Sequence, residues 1–308
     1  MSAENVSRYE PTAPPWQPPW PVEVDLHLHT TASDGTLTAA QLIEQVAQTS
    51  LQVIAITDHD STDAIDEAMA AAATHPRLTV IPGIEFGTEI GQSEVHLLGL
   101  FIDHHSPVLQ DTLKQFRDQR VNSARQMVKK LNDMGIAITW ERVSELAQGA
   151  VGRPHIARAM LEKQYVETIH EAFERYIGND GPARVPRPKF EPVQALEAVH
   201  AAGGVGIVAH PRTVEGLEDV LPPLAEAGLA GIEVFAEKYS AEHQERYSAL
   251  AKKYNLIESG GTDYHAFGSK NEVRPGISGP PPDTARKLYE RAFELHNGKP
   301  GFKPQRPI

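Results

Sequence analysis

The chain carries histidine, aspartate and glutamate side chains at the ends of short apolar runs, in spacings that suit metal coordination. His27 and His29 lie two residues apart in a strand-like run, so both would face the same side of a strand. Asp263 and His265 repeat this spacing near the end of the chain. Such ligands bind divalent ions, and the pattern predicts a metal-dependent hydrolase. The nine candidate metal ligands are His27, His29, Asp34, His59, Glu85, His96, His210, Asp263 and His265.

Each motif alone has a simpler interpretation. Two histidines in an isolated strand are more often part of a hydrogen-bonded core, and Asp34 in Ser-Asp-Gly is typical of a turn. However, six of the 14 histidines fall in these motifs. Glu85 ends an apolar run, where an unpaired carboxylate would be costly and a cation would offset that cost. Asp58 and Asp60 flank His59, and either could accept its second ring proton or cap the next helix.

Composition excludes several other classes of chemistry. The chain has no cysteine, which excludes disulfides, thiolate metal sites and thiol nucleophiles, and no serine lies in a GxSxG motif. The net charge of −12 disfavours binding of a long duplex nucleic acid, although a local basic pocket could still hold a small phosphate. The sequence has no apolar stretch long enough to indicate a signal peptide or a membrane segment, so we expect a cytoplasmic protein. The oligomeric state stays open.

Seven short apolar runs bounded by Gly, Pro, Asp or Asn predict seven strands that alternate with amphipathic helices. This alternation predicts an α/β fold with a parallel sheet covered by helices, closed into a barrel. No eighth strand is visible. The predicted strands span residues 22 to 29, 51 to 57, 78 to 86, 94 to 101, 204 to 210, 229 to 236 and 256 to 260.

The domain organisation follows from where this regularity begins and breaks. Residues 1 to 21 form a Pro-rich N-terminal tail, and residues 299 to 308 form a C-terminal tail. Residues 22 to 102 and 191 to 298 form a discontinuous barrel. Residues 103 to 190 have helical spacing and predict a helical insertion between strands four and five. Insertions at this face of a barrel usually cover the active site and select the substrate.

Six motifs together resemble a known family. DLHLHTTASDGTL, ITDHD, GIEF, VHLLG, AHP and GTDYHA are similar to motifs of the PHP phosphoesterases, named for polymerase and histidinol phosphatase. The resemblance extends from Val24 to about Gly268, and the motifs are highly specific in combination. It implies a distorted seven-stranded (β/α)7 barrel with a trinuclear metal centre at the carboxyl ends of the strands.

The resemblance also implies how the nine ligands divide. Two to three divalent ions, which can be Mn, Zn or Fe, would share Glu85 as a bridge. Glu85 and Asp263 would hold a metal-bridging hydroxide that attacks the phosphate ester. The implied ligand sets are His27, His29, Glu85 and Asp263 for one metal, Glu85, His96 and His210 for a second, and Asp34, His59 and His265 for a third.

Basic residues outside this set are candidates for binding the substrate phosphate. Arg153 and His155 lie in the GRPH segment, where a helix start favours an anion. Pairing of Arg153 with a surface carboxylate is an equally good interpretation. A similar segment meets the substrate phosphate in the PHP phosphatases that act on nucleotides. Arg184 and Lys189 lie in a second basic loop, and Arg212 follows a predicted metal ligand.

The layout is most similar to the PHP subgroup that dephosphorylates 3′,5′-bisphosphonucleotides and trims the 5′ ends of short RNA. A nucleotide or a short RNA end is therefore the expected substrate. A histidinol-phosphate phosphatase or another small phosphate monoesterase is the alternative within the same chemistry. An amidohydrolase is disfavoured because no lysine ends strand four. A non-catalytic PHP module is disfavoured because all nine ligand types are present.

Overall fold

A computed structural model describes residues 18–90, 93–147, 150–185, 190–236, 239–268, 272–304, 306 and 308. Seven strands form one sheet whose spatial order follows the chain, and this confirms the predicted seven-stranded α/β barrel. Within the described ranges, no helix has both the length and the apolar character needed to cross a membrane. The strands are β1 (Val24–Leu28), β2 (Val53–Ile56), β3 (Thr79–Ile90), β4 (Ser93–Leu100), β5 (Val205–Val208), β6 (Gly231–Phe235) and β7 (Ile257–Gly260).

The expectation of an all-parallel sheet is wrong at β4. This strand pairs antiparallel with both β3 and β5, whereas the other neighbouring strands are parallel. The physical reason is that no helix separates β3 from β4, and two strands joined by a short connection pair as a hairpin. Gly87 lies opposite His96 in this hairpin. The beginning of β4 therefore lies at the same edge as the carboxyl ends of the parallel strands.

The sheet closes where β1 meets the segment that follows β7. The backbone N–H of Asp263 donates to the carbonyl of His27 at 2.9 Å, and that of His29 donates to the carbonyl of Tyr264 at 3.0 Å. Leu28 and Tyr264 form a parallel bridge. The seam therefore aligns two ligand-bearing motifs, one from each end of the barrel sequence.

Helices cover the outer face of the barrel, and their apolar sides form its surrounding core. Thr38 illustrates how such a helix begins: its hydroxyl accepts from the backbone of Gln41, whose side chain accepts from the Thr38 backbone. The helices are α1 (Ala39–Val46), α2 (Ile65–Ala72), α3 (Pro107–Asp133), α4 (Trp140–Leu146), α5 (Arg153–Glu162), α6 (Ile169–Ala172), α7 (Pro192–Ala201), α8 (Leu217–Glu226), α9 (Ala241–Lys253) and α10 (Thr284–Leu295).

Helices α3 to α6 and the loop that carries Arg184 lie between β4 and β5 and are here called the helical segment. They share an apolar cluster distinct from those of the barrel. A π turn over Phe173–Ile177 continues α6. The buried Arg120 side chain of α3 pairs with the buried carboxylate of Asp60, with Nε 2.5 Å from Oδ2. An ion pair out of water stabilises only in such close geometry, so this contact fixes α3 against the barrel.

The described parts of both predicted tails contact the barrel. The Trp20 indole packs edge-on against Phe235 with ring centroids 5.2 Å apart, and its Nε1 donates to the carbonyl of Gly279. At the other end, the Gly301 backbone donates to the carbonyl of Gly203 at 2.9 Å. Most of the Pro-rich segment, including Trp16, lies outside the described residues.

Substitution of Gly261 by Ala tests the seam between β1 and the segment after β7. A Cβ at this position would lie 2.5 Å from the His27 Cβ and 2.7 Å from its backbone nitrogen, so one side of the seam must shift. We expect Gly261→Ala to lower the free energy of unfolding by about 1 to 3 kcal/mol in urea denaturation. Gly152→Ala is the control, because the nearest atom to its Cβ lies at an ordinary 3.4 Å. Equal stability of the two variants would contradict the importance of close packing at the seam.

Candidate metal centre

All nine predicted ligands converge at the edge where the parallel strands end and β4 begins. Glu85 has no solvent exposure and lies at their centre. Its Oε1 lies 2.7 Å from Nδ1 of His96 and 3.0 Å from Nε2 of His210. Its Oε2 lies 3.1 to 3.2 Å from one ring nitrogen of each of three histidines, namely His27, His29 and His59. One carboxylate thus faces five imidazoles.

Two other carboxylates complete the cluster. Asp34 Oδ1 lies 3.2 Å from Nε2 of His265, and Asp34 Oδ2 lies 3.8 Å from Nε2 of His59. Asp263 Oδ1 lies 3.2 Å from Nε2 of His29 and 3.7 Å from Nδ1 of His265. His59 therefore lies between Asp34 and Glu85, and Nδ1 of His29 lies 3.8 Å from Asp34 Oδ1. These contacts link the third ligand set to the other two, which the sequence resemblance keeps apart from it.

Three overlapping groups of ligand atoms are close enough to hold a metal ion. In one of them His59 joins Glu85 and His96, and His210 approaches the same group through Glu85 Oε1. Among the described residues, a further group of potential ligands is largely exposed and formed by Asp66, His104 and His105. The three central groups are His29, Asp34, His59 and His265; His27, His29, Glu85 and Asp263; and His59, Glu85 and His96.

The buried nitrogens of this cluster fit metal ions. In the part of the chain that the structure describes, both ring nitrogens of His29 and Nδ1 of His59 are buried and have no hydrogen-bond partner. Carboxylate oxygens lie 3.2 Å from Nε2 of His29 and 3.1 Å from Nδ1 of His59 without the geometry of a hydrogen bond, and Asp34 Oδ1 lies 3.8 Å from Nδ1 of His29. Buried polar atoms without partners are costly, and ligation of a cation by these nitrogens would remove that cost. The donor set of imidazoles and carboxylates suits Zn, Mn or Fe.

Four of the histidines have one nitrogen on a carboxylate of the cluster and the other on a separate acceptor. Nδ1 of His27 lies 2.9 Å from Glu233 Oε1, and Nε2 of His96 lies 3.2 Å from Glu94 Oε1. Nδ1 of His210 lies 2.9 Å from the Thr213 hydroxyl. In the fourth, Nδ1 of His265 lies 2.9 Å from a backbone carbonyl, that of Asp263. Such outer partners set the ring orientation and tautomer of metal-binding histidines.

Glu233 contacts two of the predicted ligands and was not selected by the sequence analysis. Its Oε2 also accepts from the backbone N–H of His210 at 2.6 Å, so one carboxylate orients two predicted ligands. The available signal was a glutamate inside an apolar strand, the same signal that identified Glu85.

The two aspartates beside His59 have other partners than the sequence suggested. Asp58 accepts from the backbone and hydroxyl of Thr30 at 2.7 Å and from the hydroxyl of Ser33 at 2.5 Å. It therefore fixes the loop that precedes Asp34. Asp60 pairs with Arg120 and has a left-handed backbone, with φ of 47°.

Burial and mutual charge determine the protonation of the cluster. Burial raises the pKa of Glu85, but the surrounding imidazoles outweigh it and hold this pKa well below its usual range. Burial lowers the pKa of His29, yet the neighbouring carboxylates of Asp263 and Glu85 outweigh it and raise this pKa to about 10. The same competition, with Glu85 and Glu94, raises the pKa of His96 to about 9. The carboxylates thus favour positive charge at this position, as a cation site requires.

Two of the predicted ligands have strained backbones. His210 has φ of 27° and Asp263 has φ of 53°, both in the left-handed region that non-glycine residues seldom occupy. Hydrogen bonds from their N–H groups, to Glu233 and to the carbonyl of His27, hold these conformations. Strain of this kind concentrates at functional sites.

The GRPH segment begins α5 beside this cluster. Both oxygens of Glu94 lie 2.9 Å from Nη2 of Arg153, whose Nη1 donates to Asn179. The contacts of Arg153 thus agree with the interpretation that it pairs with a carboxylate. His155 is buried, and its Nδ1 accepts from the Gly152 backbone. Burial, together with the positive charges of Arg158 and Arg120, lowers the pKa of His155 to about 4.

The remaining basic candidates are distributed around the same edge. Arg184 pairs with Glu89 at 3.0 Å, and Arg212 is exposed next to His210. Lys189 lies outside the described residues. Arg158, which the sequence analysis did not select, donates to the carbonyl oxygen of Asp34 at 2.8 Å.

Comparisons with known proteins agree with this geometry. The PHP domain model matches residues 25–185. A 3′,5′-nucleoside bisphosphate phosphatase of Chromobacterium violaceum is 32% identical over 80% of this chain and 88% of its own length. The 5′-3′ exoribonuclease Rnm of Salmonella typhimurium is 32% identical over 78% of this chain and 84% of its own length.

The fold comparison gives the same family. The crystal structure of a proposed metal-dependent phosphoesterase from Bifidobacterium adolescentis superposes with a TM-score of 0.80 and 30% identity. The match covers 91% of this chain and 98% of that one. The chain therefore belongs to the PHP domain family and is a metal-dependent hydrolase.

Proposed function

We propose that this phosphoesterase removes a phosphate from a nucleotide that carries two phosphates, or cleaves at the 5′ end of a short RNA. The observation that carries the proposal is the cluster around Glu85, where five imidazoles converge on one buried carboxylate. Relatives named as a bisphosphate phosphatase and a 5′-3′ exoribonuclease support the substrate class.

Two to three divalent ions, Mn, Zn or Fe, would be held by the nine ligands. Bound there, they would activate water for attack and neutralise the charge of the phosphate. Glu85 and Asp263 would hold the bridging hydroxide, because oxygens of both carboxylates lie 3.2 to 3.4 Å from Nε2 of His27 and Nε2 of His29. Glu233 and Glu94 would keep the ligand imidazoles in the correct tautomer.

The start of α5 would orient the substrate phosphate. His155 and Arg158 lie near Asp34. Arg153 lies near His96, because it pairs with Glu94, which in turn contacts that imidazole. Arg212 would approach from beside His210, and Arg184 and Lys189 would contribute to the outer edge of the site. A phosphate between these groups would meet positive charge from the helical segment as well as from the ions.

A panel of phosphate esters separates this proposal from histidinol-phosphate hydrolysis. We expect the protein loaded with Mn, Zn or Fe to release phosphate from 3′,5′-bisphosphoadenosine, or mononucleotides from a 5′-phosphorylated short RNA. Histidinol phosphate should be turned over far more slowly. Phosphate release and RNA products would be measured by a colorimetric assay and gel electrophoresis. Failure to act on either nucleotide substrate with all three metals would exclude the proposal.

Glu85→Gln tests the bridging carboxylate. The amide keeps the volume but loses the negative charge that faces five imidazoles, so we expect metal content to fall by at least one ion per chain. Activity should fall by more than about 100-fold, beyond what loss of an outer partner of a metal ligand usually costs. Elemental analysis and initial rates would measure both effects. Glu258→Gln, which changes a partly buried glutamate of β7, is the control and should retain full metal content.

Metal binding should release protons. The metal-free protein retains protons on His29 and His96 because their pKa values are raised to about 10 and about 9, whereas a metal ligand must be a neutral imidazole. Apparent metal affinity should therefore rise with pH between 7 and 9, by about tenfold per pH unit for each proton released. Calorimetric titrations in buffers of different ionisation enthalpy would count the protons. Affinity that does not change over this range would contradict the expected protonation.

A further inference from the structure

Glu94 occupies a position between the helical segment and the metal centre. Its Oε1 lies 3.2 Å from Nε2 of His96 and 2.9 Å from Nη2 of Arg153, and its Oε2 lies 2.9 Å from the same Nη2. The side chains of Glu94 and Arg153 are only 20% and 18% exposed. A single carboxylate therefore joins the first turn of α5 to an imidazole whose other nitrogen faces Glu85.

The contacts of His96 show which of its ring nitrogens faces the cluster and which faces Glu94. Nδ1 lies 2.7 Å from Glu85 Oε1, within the metal-binding group, so Nε2 is the nitrogen left to donate to Glu94. An anionic acceptor on the outer nitrogen keeps the ring in one tautomer and makes the inner nitrogen a better ligand. Arg153 in turn holds Glu94 in place through two contacts and is itself anchored by the Asn179 side chain.

We propose that Glu94 is a positioning residue through which Arg153 of α5 sets the metal affinity of the Glu85, His96 and His210 group. On this view Arg153 acts on the centre through Glu94, in addition to the positive charge that it would contribute beside the substrate phosphate. The proposal rests on the proposed function only in taking this group as a metal site. Correct docking of the helical segment and loading of that site then become coupled events.

A neighbouring ion pair provides a matched comparison. Arg184 pairs with Glu89 at 3.0 Å, with side-chain exposures of 19% and 23%. Glu89 lies directly opposite Glu94 in the ladder between β3 and β4. Nη1 of Arg184 also donates to the backbone carbonyl of Asn179. Both pairs thus join the helical segment to the same hairpin, but of the two glutamates it is Glu94 that contacts an imidazole of the cluster, that of His96.

The test compares metal binding by Glu94→Ala, Glu94→Gln and Arg153→Ala with that by Glu89→Ala and Arg184→Ala. Affinity for Mn and Zn would be measured by calorimetric titration of the metal-free proteins, and bound metal by elemental analysis after gel filtration. We expect Glu94→Ala to weaken one class of metal site by about 10- to 100-fold. Glu94→Gln, which retains an acceptor for His96, should show a smaller loss. Arg153→Ala should weaken the same class, and the Glu89 and Arg184 variants should bind like the unmodified protein.

Two results would overturn the proposal. The first is metal affinity in Glu94→Ala equal to that in Glu89→Ala. The second is an Arg153→Ala variant with unchanged metal affinity but raised KM, which is the result expected if Arg153 acts on the phosphate alone. Circular dichroism and thermal melting of each variant would identify loss of folding, and Glu94→Gln provides a nearly isosteric variant in case Glu94→Ala is unstable. The binding measurements need no substrate, so they stand even if the nucleotide panel fails.

Discussion

The structure depends on the burial of one negative charge, that of Glu85, at the carboxyl edge of the sheet. A buried carboxylate without partners would be strongly destabilising. Five imidazoles from β1, β4 and the segments directly after β1, β2 and β5 approach its two oxygens. Each of these elements must therefore be in register for the charge to be compensated. The positions of the other ligands, and the backbone strain at His210 and Asp263, follow from this requirement.

The antiparallel strand β4 serves the same requirement. A parallel β4 would place His96 at the opposite edge of the sheet, away from Glu85. The hairpin reverses the chain so that His96 and Glu94 begin the strand at the ligand edge. It also brings Glu89 and Glu94 side by side, where the arginines of the helical segment pair with them. The same reversal thus positions a predicted metal ligand and the two glutamates with which these arginines pair.

Much of this arrangement was predictable from residue spacing. The pair His27 and His29, and its repetition in Asp263 and His265, indicated ligands at strand ends, and the apolar runs located all seven strands. The direction of β4 was not predictable from alternation of strands and helices, because that pattern assumes a helix in every connection. Glu233 and Glu94 were missed for a different reason: their role depends on contacts with imidazoles distant in sequence or across the strand. The pairing of Arg153 likewise depends on the docking of α5, which local sequence does not encode.

The seam of the barrel has a consequence for how the protein holds together. His27 lies in the first strand, His29 directly after it and Asp263 just after the last strand, and few backbone hydrogen bonds join the two sides. An ion held by these three residues would act as a cross-link between the two ends of the sheet, much as a disulfide does in a chain with cysteines. Since this chain has no cysteines, metal binding would be its means of cross-linking the two ends of the sheet. Removal of the metal by a chelator would then destabilise the barrel at the seam first.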